Sequence, residues 1–226
     1  MTQSSAAGTL YIVGMPLGNP GDITLRALSL LRRAQLVLAE HPGTTNRLLN
    51  THGITTPCER YSPGDTMRYL QMMTTGSNIA LVSDVGLPGI ADPGTAIIDA
   101  AWVNGLPVDI APGASAVTAA LAISGLFTQR FQFFGFPPRK TADRSEFFKE
   151  IADYNGTIVM YETRRGLRST LKDLNRTLDP KRRMLVAGGM TTPRAVLRRC
   201  AVADVNSHEY LELAARRGPF TLVIER

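Results

Sequence analysis

The chain has 226 residues, 44% of them hydrophobic and 19% charged, with a formal net charge of +6. Two cysteines, Cys58 and Cys200, and three histidines, His41, His52 and His208, exclude a disulfide scaffold and argue against any metal site, so a reducing compartment is expected. No basic leader opens the sequence and no run of about 18 apolar residues interrupts it, which predicts a soluble cytoplasmic protein with no membrane partner.

Short apolar runs alternate with helical patterns. A first strand is predicted at 9–13, then a helix at 23–34 capped by Asp22, and a second strand at 35–39 that ends at Glu40. Further strands are predicted at 78–82 and 106–110, with a helix at 93–104 between them that Asp92 caps and Pro93 opens. These are continuous apolar runs rather than alternating ones, which suits strands of a parallel sheet covered on both faces. A small-residue helix follows at 115–124.

After Gly125 the character changes. Strands at 131–135 and 157–161 flank a charged helix at 141–152, and a basic helix follows at 164–178. Then come strands at 183–187 and 195–202, a helix at 207–215 and a last strand at 220–225. The expected fold is α/β: two lobes, 1–113 and 114–226, with mostly parallel or mixed sheets flanked by helices and the boundary in the stretch 112–130. A ligand cleft between lobes is a common arrangement.

The charge divides unevenly between these halves. Residues 1–113 carry 6 Lys+Arg against 8 Asp+Glu, a net of −2, whereas residues 114–226 carry 19 against 11, a net of +8. A solvated basic face and a polyanionic partner both account for this asymmetry.

Two loops have the composition of binding segments. The first is Gly14-Met15-Pro16-Leu17-Gly18-Asn19-Pro20-Gly21-Asp22, which exposes backbone N–H groups beside a helix start. It matches neither the dinucleotide G-x-G-x-x-G pattern nor a P-loop, and a plain β-to-α turn also explains it. The second, Ser83 to Gly94, packs three Gly, two Pro and two Asp into twelve residues directly after a buried strand. A crossover needs only about 2–6 residues, so a longer rigid loop is better explained as the wall of a pocket at the carboxyl edge of the sheet.

The second loop carries a resemblance. Val82-Ser83-Asp84-Val85-Gly86-Leu87-Pro88-Gly89-Ile90-Ala91-Asp92-Pro93-Gly94 resembles the signature loop of the tetrapyrrole methylase superfamily. Within that superfamily the sequence is most similar to the branch that methylates the 2′-hydroxyl of a cytidine in small-subunit ribosomal RNA. Gly14 to Asn19, Asp22 to Ala27, Pro112 to Ala116, Arg130 to Lys140, Met160-Tyr161-Glu162 and Gly218 to Glu225 follow in the order of the branch's motifs, covering the chain from Gly8 to Arg226.

The resemblance implies a two-lobed, homodimeric methyltransferase that holds S-adenosylmethionine in the cleft and releases S-adenosylhomocysteine. It implies cofactor contacts from Met15, Pro16, Asp84, Gly86, Ile90, Ser115, Ala116, Tyr161, Gly189, Met190 and Pro219. Small residues there let the main chain approach the cofactor closely.

Methyl transfer asks mainly for alignment, and a base helps a poorly nucleophilic ribose hydroxyl. Glu40, Asp92 and Glu162 are the candidate catalytic acids, each also readable as a strand-end acid, a helix cap and an ion-pair partner. Arg139, Lys140, Arg164 and Arg165 are the candidate contacts to ribosomal RNA or the small ribosomal subunit. Further basic residues stand at Arg168, Lys181-Arg182-Arg183 and Arg198-Arg199, and Phe134 and Phe136 can stack on a splayed base or fill a core.

The sequence departs from the branch in three places. Glu40-His41-Pro42-Gly43 stands where the branch has an acid followed by Asp-Thr-Arg, with Arg47 a few residues later and His41 able to replace a lost polar group. Ala187-Gly188-Gly189-Met190-Thr191-Thr192 replaces a segment with charged residues, and the sequence ends at Arg226 where the branch has a helical extension. A tetrapyrrole C-methyltransferase and a non-catalytic S-adenosylmethionine-binding module therefore stand as alternatives.

Overall fold

The structure, a computed structural model, describes residues 6–206 and 219–226. The chain divides into two compact units, Met1–Ser115 and Ala116–Arg226.

The first unit is a three-layer α/β fold. Its strands are β1 (Leu10–Val13), β2 (Leu36–Ala39), β3 (Cys58–Arg60), β4 (Ile79–Val82) and β5 (Val108–Ala111), in the spatial order β3-β2-β4-β1-β5. Every pairing is parallel. Val13, Val37, Ala39, Ala80 and Val82 face one way, against Leu28 and Leu31 of α1 (Leu25–Arg33) and Leu49 of α2 (Pro42–Thr51). Leu10, Ile12, Leu36, Leu38, Ile79 and Leu81 face the other way. They meet Tyr69 and Met73 of α3 (Thr66–Thr74) and Ile97 and Ala101 of α4 (Thr95–Val103). Burial on both faces is why the central strands read as unbroken apolar runs.

The edge strand departs from that expectation. β5 lies two residues later than its predicted start, and Asp109 and Ile110 are exposed, with Asp109 ion-paired to Arg26 at 2.6 Å. An edge strand lacks a neighbour on one side and tolerates polar residues.

Two predicted caps are also corrected. Asp22 sits in a short 3-10 turn, and Thr24 caps α1, accepting from Ala27 N–H at 3.0 Å. Asp92 does not cap α4, because Gly94 occupies that position at φ +140°. A Cβ on Gly94 would lie 2.8 Å from Leu81, so only glycine closes the loop there.

The second unit is a mixed sheet. β6 (Phe131–Phe133), β7 (Thr157–Glu162), β8 (Arg183–Gly188), β9 (Val196–Ala201) and β10 (Phe220–Ile224) lie in the order β6-β7-β10-β8-β9. β6 and β7 are parallel and the other pairs antiparallel. α6 (Thr141–Asp153) and α7 (Leu167–Thr177) cover one face through Phe148, Ile151, Leu167, Leu171 and Leu174. α5 (Ala116–Ser124) packs against β7, β8 and β10. The predicted helix at 207–215 lies outside the described residues.

Candidate active site

Because β1, β2 and β4 are parallel neighbours, the chain leaves all three at the same edge of the first sheet, where open α/β folds bind ligands. The loops after β1 and β4 are tied to each other. Met15 N–H donates to Gly86 O at 2.8 Å, and Gly86 N–H returns a bond to Met15 O at 3.2 Å. Gly14 lies so close to Gly113 that a Cβ on Gly14 would sit 2.7 Å from the Gly113 backbone.

Met15, Pro16, Thr44, Thr45, Leu48, Asp84 and Val85 line a cavity of about 230 Å³ beside these loops. Its walls are mainly apolar with one carboxylate. Oδ1 of Asp84 is buried without a hydrogen-bond partner among the described residues, and a buried orphan acceptor is costly unless a ligand satisfies it. S-adenosylmethionine has an adenine ring that can pack on an apolar wall, and ammonium and ribose hydroxyl groups that can donate to a carboxylate, so this lining suits those parts of it. Of the other predicted cofactor residues, Gly86 belongs to the tied loops, Ile90 is exposed, and Ser115 and Ala116 stand at the start of α5.

A second cavity, of about 340 Å³, is lined by Glu40, His41, Arg60, Tyr61, Pro63 and Pro93. Between the two, His41 Nδ1 lies 2.9 Å from Asp84 Oδ2. Glu40 Oε2 approaches the Asp84 N–H at 3.5 Å, so acid and imidazole groups of Glu40, His41 and Asp84 gather within 4.8 Å. Asp92 belongs to the same neighbourhood. Burial, and next the nearby Glu40 charge, push its carboxyl up to about 6, with a hydrogen bond from Ser83 opposing them and the Asp84 charge adding least.

In the second unit Glu162 is buried, and both carboxylate oxygens are engaged. Oε1 accepts from Thr163 N–H at 2.6 Å and Oε2 from the Thr170 hydroxyl at 2.5 Å. Thr170 in turn accepts from Arg144 Nη2 at 2.8 Å, and Arg144 Nε donates to Asp173 at 2.7 Å. A carboxylate tied into such a network has the surroundings of a structural acid, the ion-pair and hydrogen-bond partner that Glu162 is also readable as.

Tyr161 packs edge-on to Phe133 at 4.7 Å and tilted against Phe136 at 5.5 Å between ring centroids. Gly189 and Met190 begin the loop from β8 to β9, Met190 buried, and Pro219 is exposed just before β10.

Phe136, Pro137, Arg139, Arg144, Glu162, Thr163, Arg165 and Gly166 line a cavity of about 670 Å³ within this unit. Arg139, Lys140, Arg164 and Arg165 are exposed, and no ion pair engages them among the described residues. Only Arg139 and Arg165 of the four line the cavity. The other basic clusters are partly committed: Arg183 pairs with Glu225 and Arg182 donates to the Glu225 carbonyl, while Arg199 donates to Gly125 O. Phe134 is packed against Phe147 and Tyr154, whereas Phe136 stays 43% exposed.

Sequence reasoning left out Thr44, Thr45 and Leu48 because α2 was not foreseen, and it did not connect His41 with Asp84, which lie 43 residues apart. The paired strand ends after β2 and β4 were the available signal.

The family model for Tetrapyrrole (Corrin/Porphyrin) Methylases matches residues 9–206. The chain is 38% identical over 221 residues to the ribosomal RNA small subunit methyltransferase I of Thermotoga maritima, covering 96% of this chain and 98% of that protein. It is 32% identical over 223 residues to the protein of that name from Pseudomonas aeruginosa, covering 97% and 79%. The near-complete coverage of the Thermotoga protein means that the expected helical extension is not common to these relatives. Among solved structures, a cobalt precorrin-4 methyltransferase superposes with a TM-score of 0.72 at 19% identity, covering 96% of this chain and 94% of that one. The uroporphyrin-III C-methyltransferase of Thermus thermophilus superposes with a TM-score of 0.68 at 21% identity, covering 96% and 94%. At those identities the likeness is one of fold.

Proposed function

The chain belongs to the tetrapyrrole methylase family, and from that premise we propose that it is an S-adenosylmethionine-dependent methyltransferase that modifies a ribose 2′-hydroxyl in small-subunit ribosomal RNA. The observation that carries the substrate is the near end-to-end match to relatives named for ribosomal RNA, whereas the tetrapyrrole enzymes share only the fold.

The methyl donor supplies an activated methyl group when bound, and the remaining requirements fall on the chain. Met15, Pro16 and Asp84 hold the donor, with Gly86, Ile90, Ser115 and Ala116 from the first unit and α5 adding backbone contacts. Tyr161, Gly189, Met190 and Pro219 are the second unit's share of the same proposal. Alignment of acceptor oxygen with the transferring methyl group accounts for most of the rate in such a reaction.

The acceptor strand is a polyanion. Arg139 and Arg165, without an ion pair among the described residues and lining one cavity, suit phosphate oxygens, with Lys140 and Arg164 beside them in sequence. The exposed face of Phe136 between them offers a surface on which an unpaired base stacks. A homodimer acting in the cytoplasm, where ribosomal RNA is found, completes the proposal. Sedimentation of the purified chain checks the dimer.

The direct experiment is transfer of a labelled methyl group to isolated small ribosomal subunits, with naked ribosomal RNA and a tetrapyrrole as comparators. Label recovered as a 2′-O-methylnucleoside supports the reading, and label on the tetrapyrrole overturns it. Replacing Arg139 and Arg165 together by Glu should abolish labelling of the subunit while calorimetric affinity for the donor stays within about threefold, since phosphate contacts position RNA and do not hold the donor.

A further inference from the structure

His41 follows β2 by two residues and occupies the N-cap position of α2. Its carbonyl accepts from the N–H groups of Thr44 and Thr45, but its imidazole makes no capping bond to the helix. The ring turns to the neighbouring strand, where Nδ1 meets Asp84 Oδ2 at 2.9 Å. β2 and β4 run in parallel with Ala39 opposite Val82, so both side chains leave the same sheet edge. A carboxylate beside Nδ1 assigns the proton to that nitrogen and leaves Nε2 as an acceptor.

Nε2 has no hydrogen-bond partner among the described residues, and the side chain is 56% exposed. Asp84 belongs to the wall of the cavity beside Met15 and Pro16, and His41 to the wall of the larger one. Their hydrogen bond therefore joins the donor's proposed place to an open space with room for an acceptor. The charged groups around the ring are Asp84, Glu40 and Arg60, with Asp92 beside Glu40.

We infer that His41 is the general base of the methyl transfer and that Asp84 is its positioning residue. The inference rests on the reading of the chain as a hydroxyl methyltransferase. As the acceptor oxygen bonds to the methyl carbon, the carbon–sulfur bond breaks and its electron pair returns to sulfur. The hydroxyl proton passes to Nε2, the resulting imidazolium is stabilised by the Asp84 carboxylate, and the proton then leaves to water. Imidazole suits this task because it exchanges a proton near the working pH. Asp92, half-buried and not among the residues lining the larger cavity, lacks that access.

The test compares wild type with His41→Asn, His41→Gln and Asp84→Asn. Asparagine places an amide N–H near the position of Nδ1, so the bond to Asp84 survives while the Nε2 acceptor is lost. We expect His41→Asn and His41→Gln to lower kcat about 10²–10⁴-fold, with KM for small subunits and calorimetric donor affinity within about threefold. The acid limb of the wild-type kcat–pH profile should vanish from their residual activity. Independently of turnover, nitrogen NMR of the free protein should show the His41 proton on Nδ1, and Asp84→Asn should remove that tautomer preference. A His41→Asn variant within tenfold of wild type, an acid limb that persists in it, or a proton found on Nε2 overturns the inference. Wild type that binds donor and labels no ribosomal RNA overturns the functional reading instead, a result distinct from an active His41→Asn.

Discussion

Asp92 shows how a crowded loop sets the ionisation of one side chain. Burial and the Glu40 and Asp84 charges raise its carboxyl from 3.8 to about 6, so the folded chain holds that proton more tightly than the unfolded one. Stability contributed by the protonated form is therefore present below about pH 4 and is lost as the pH rises through 6. A rise of that size corresponds to about 2.7 kcal/mol, which partial exposure reduces to about 1 kcal/mol. Asp92→Asn should melt about 2–4 °C above wild type at pH 8 and converge with it at pH 4, as read by calorimetry. Glu162 is a different kind of buried acid, held by hydrogen bonds from Thr163 and Thr170. Thr170→Val removes the donor to Oε2 and should cost about 1–3 kcal/mol in denaturant titration.

At the scale of elements, the loops matter more than the helices they join. The loops after β1 and β5 approach backbone to backbone at Gly14 and Gly113, where neither side has a flexible group to move. Gly14→Ala should force them apart, lowering stability by about 2 kcal/mol or more and weakening donor binding at least tenfold by calorimetry. The central strands, whose apolar runs and flanking Gly and Pro were plain in the sequence, lie within two residues of their expected places. Elements without such a pattern were not legible. α2 begins Pro42-Gly43-Thr44-Thr45 and buries little besides Leu49, and β3 has three residues, none fully buried. α3 does bury Tyr69, Leu70 and Met73, a helical spacing that was there to be read.

At the scale of the whole molecule, the basic excess of +8 in residues 114–226 is partly consumed internally. Arg144, Arg176, Arg182 and Arg183 serve bonds within the second unit, and the cations left for a polyanion include Arg139 and Arg165. If these two contact phosphates, affinity for small-subunit RNA falls with salt, and replacing both by Glu should reduce the log–log salt slope by about 1.5. Filter binding over a salt series reads that change.

The sequence by itself determined the α/β class, the loops that carry glycine and proline, and the family, because strand burial and tight backbone turns need particular residues at particular spacings. It could not say which acid is free to react. Glu40, Asp92 and Glu162 look alike in one dimension, and only the fold buries Glu162 among its donors, denies Asp92 its helix, and sets His41 beside Asp84. Those outcomes depend on which strands become neighbours and on how much water each group keeps. Parallel pairing of β2 with β4, across 43 residues of chain, decided the meeting of His41 and Asp84.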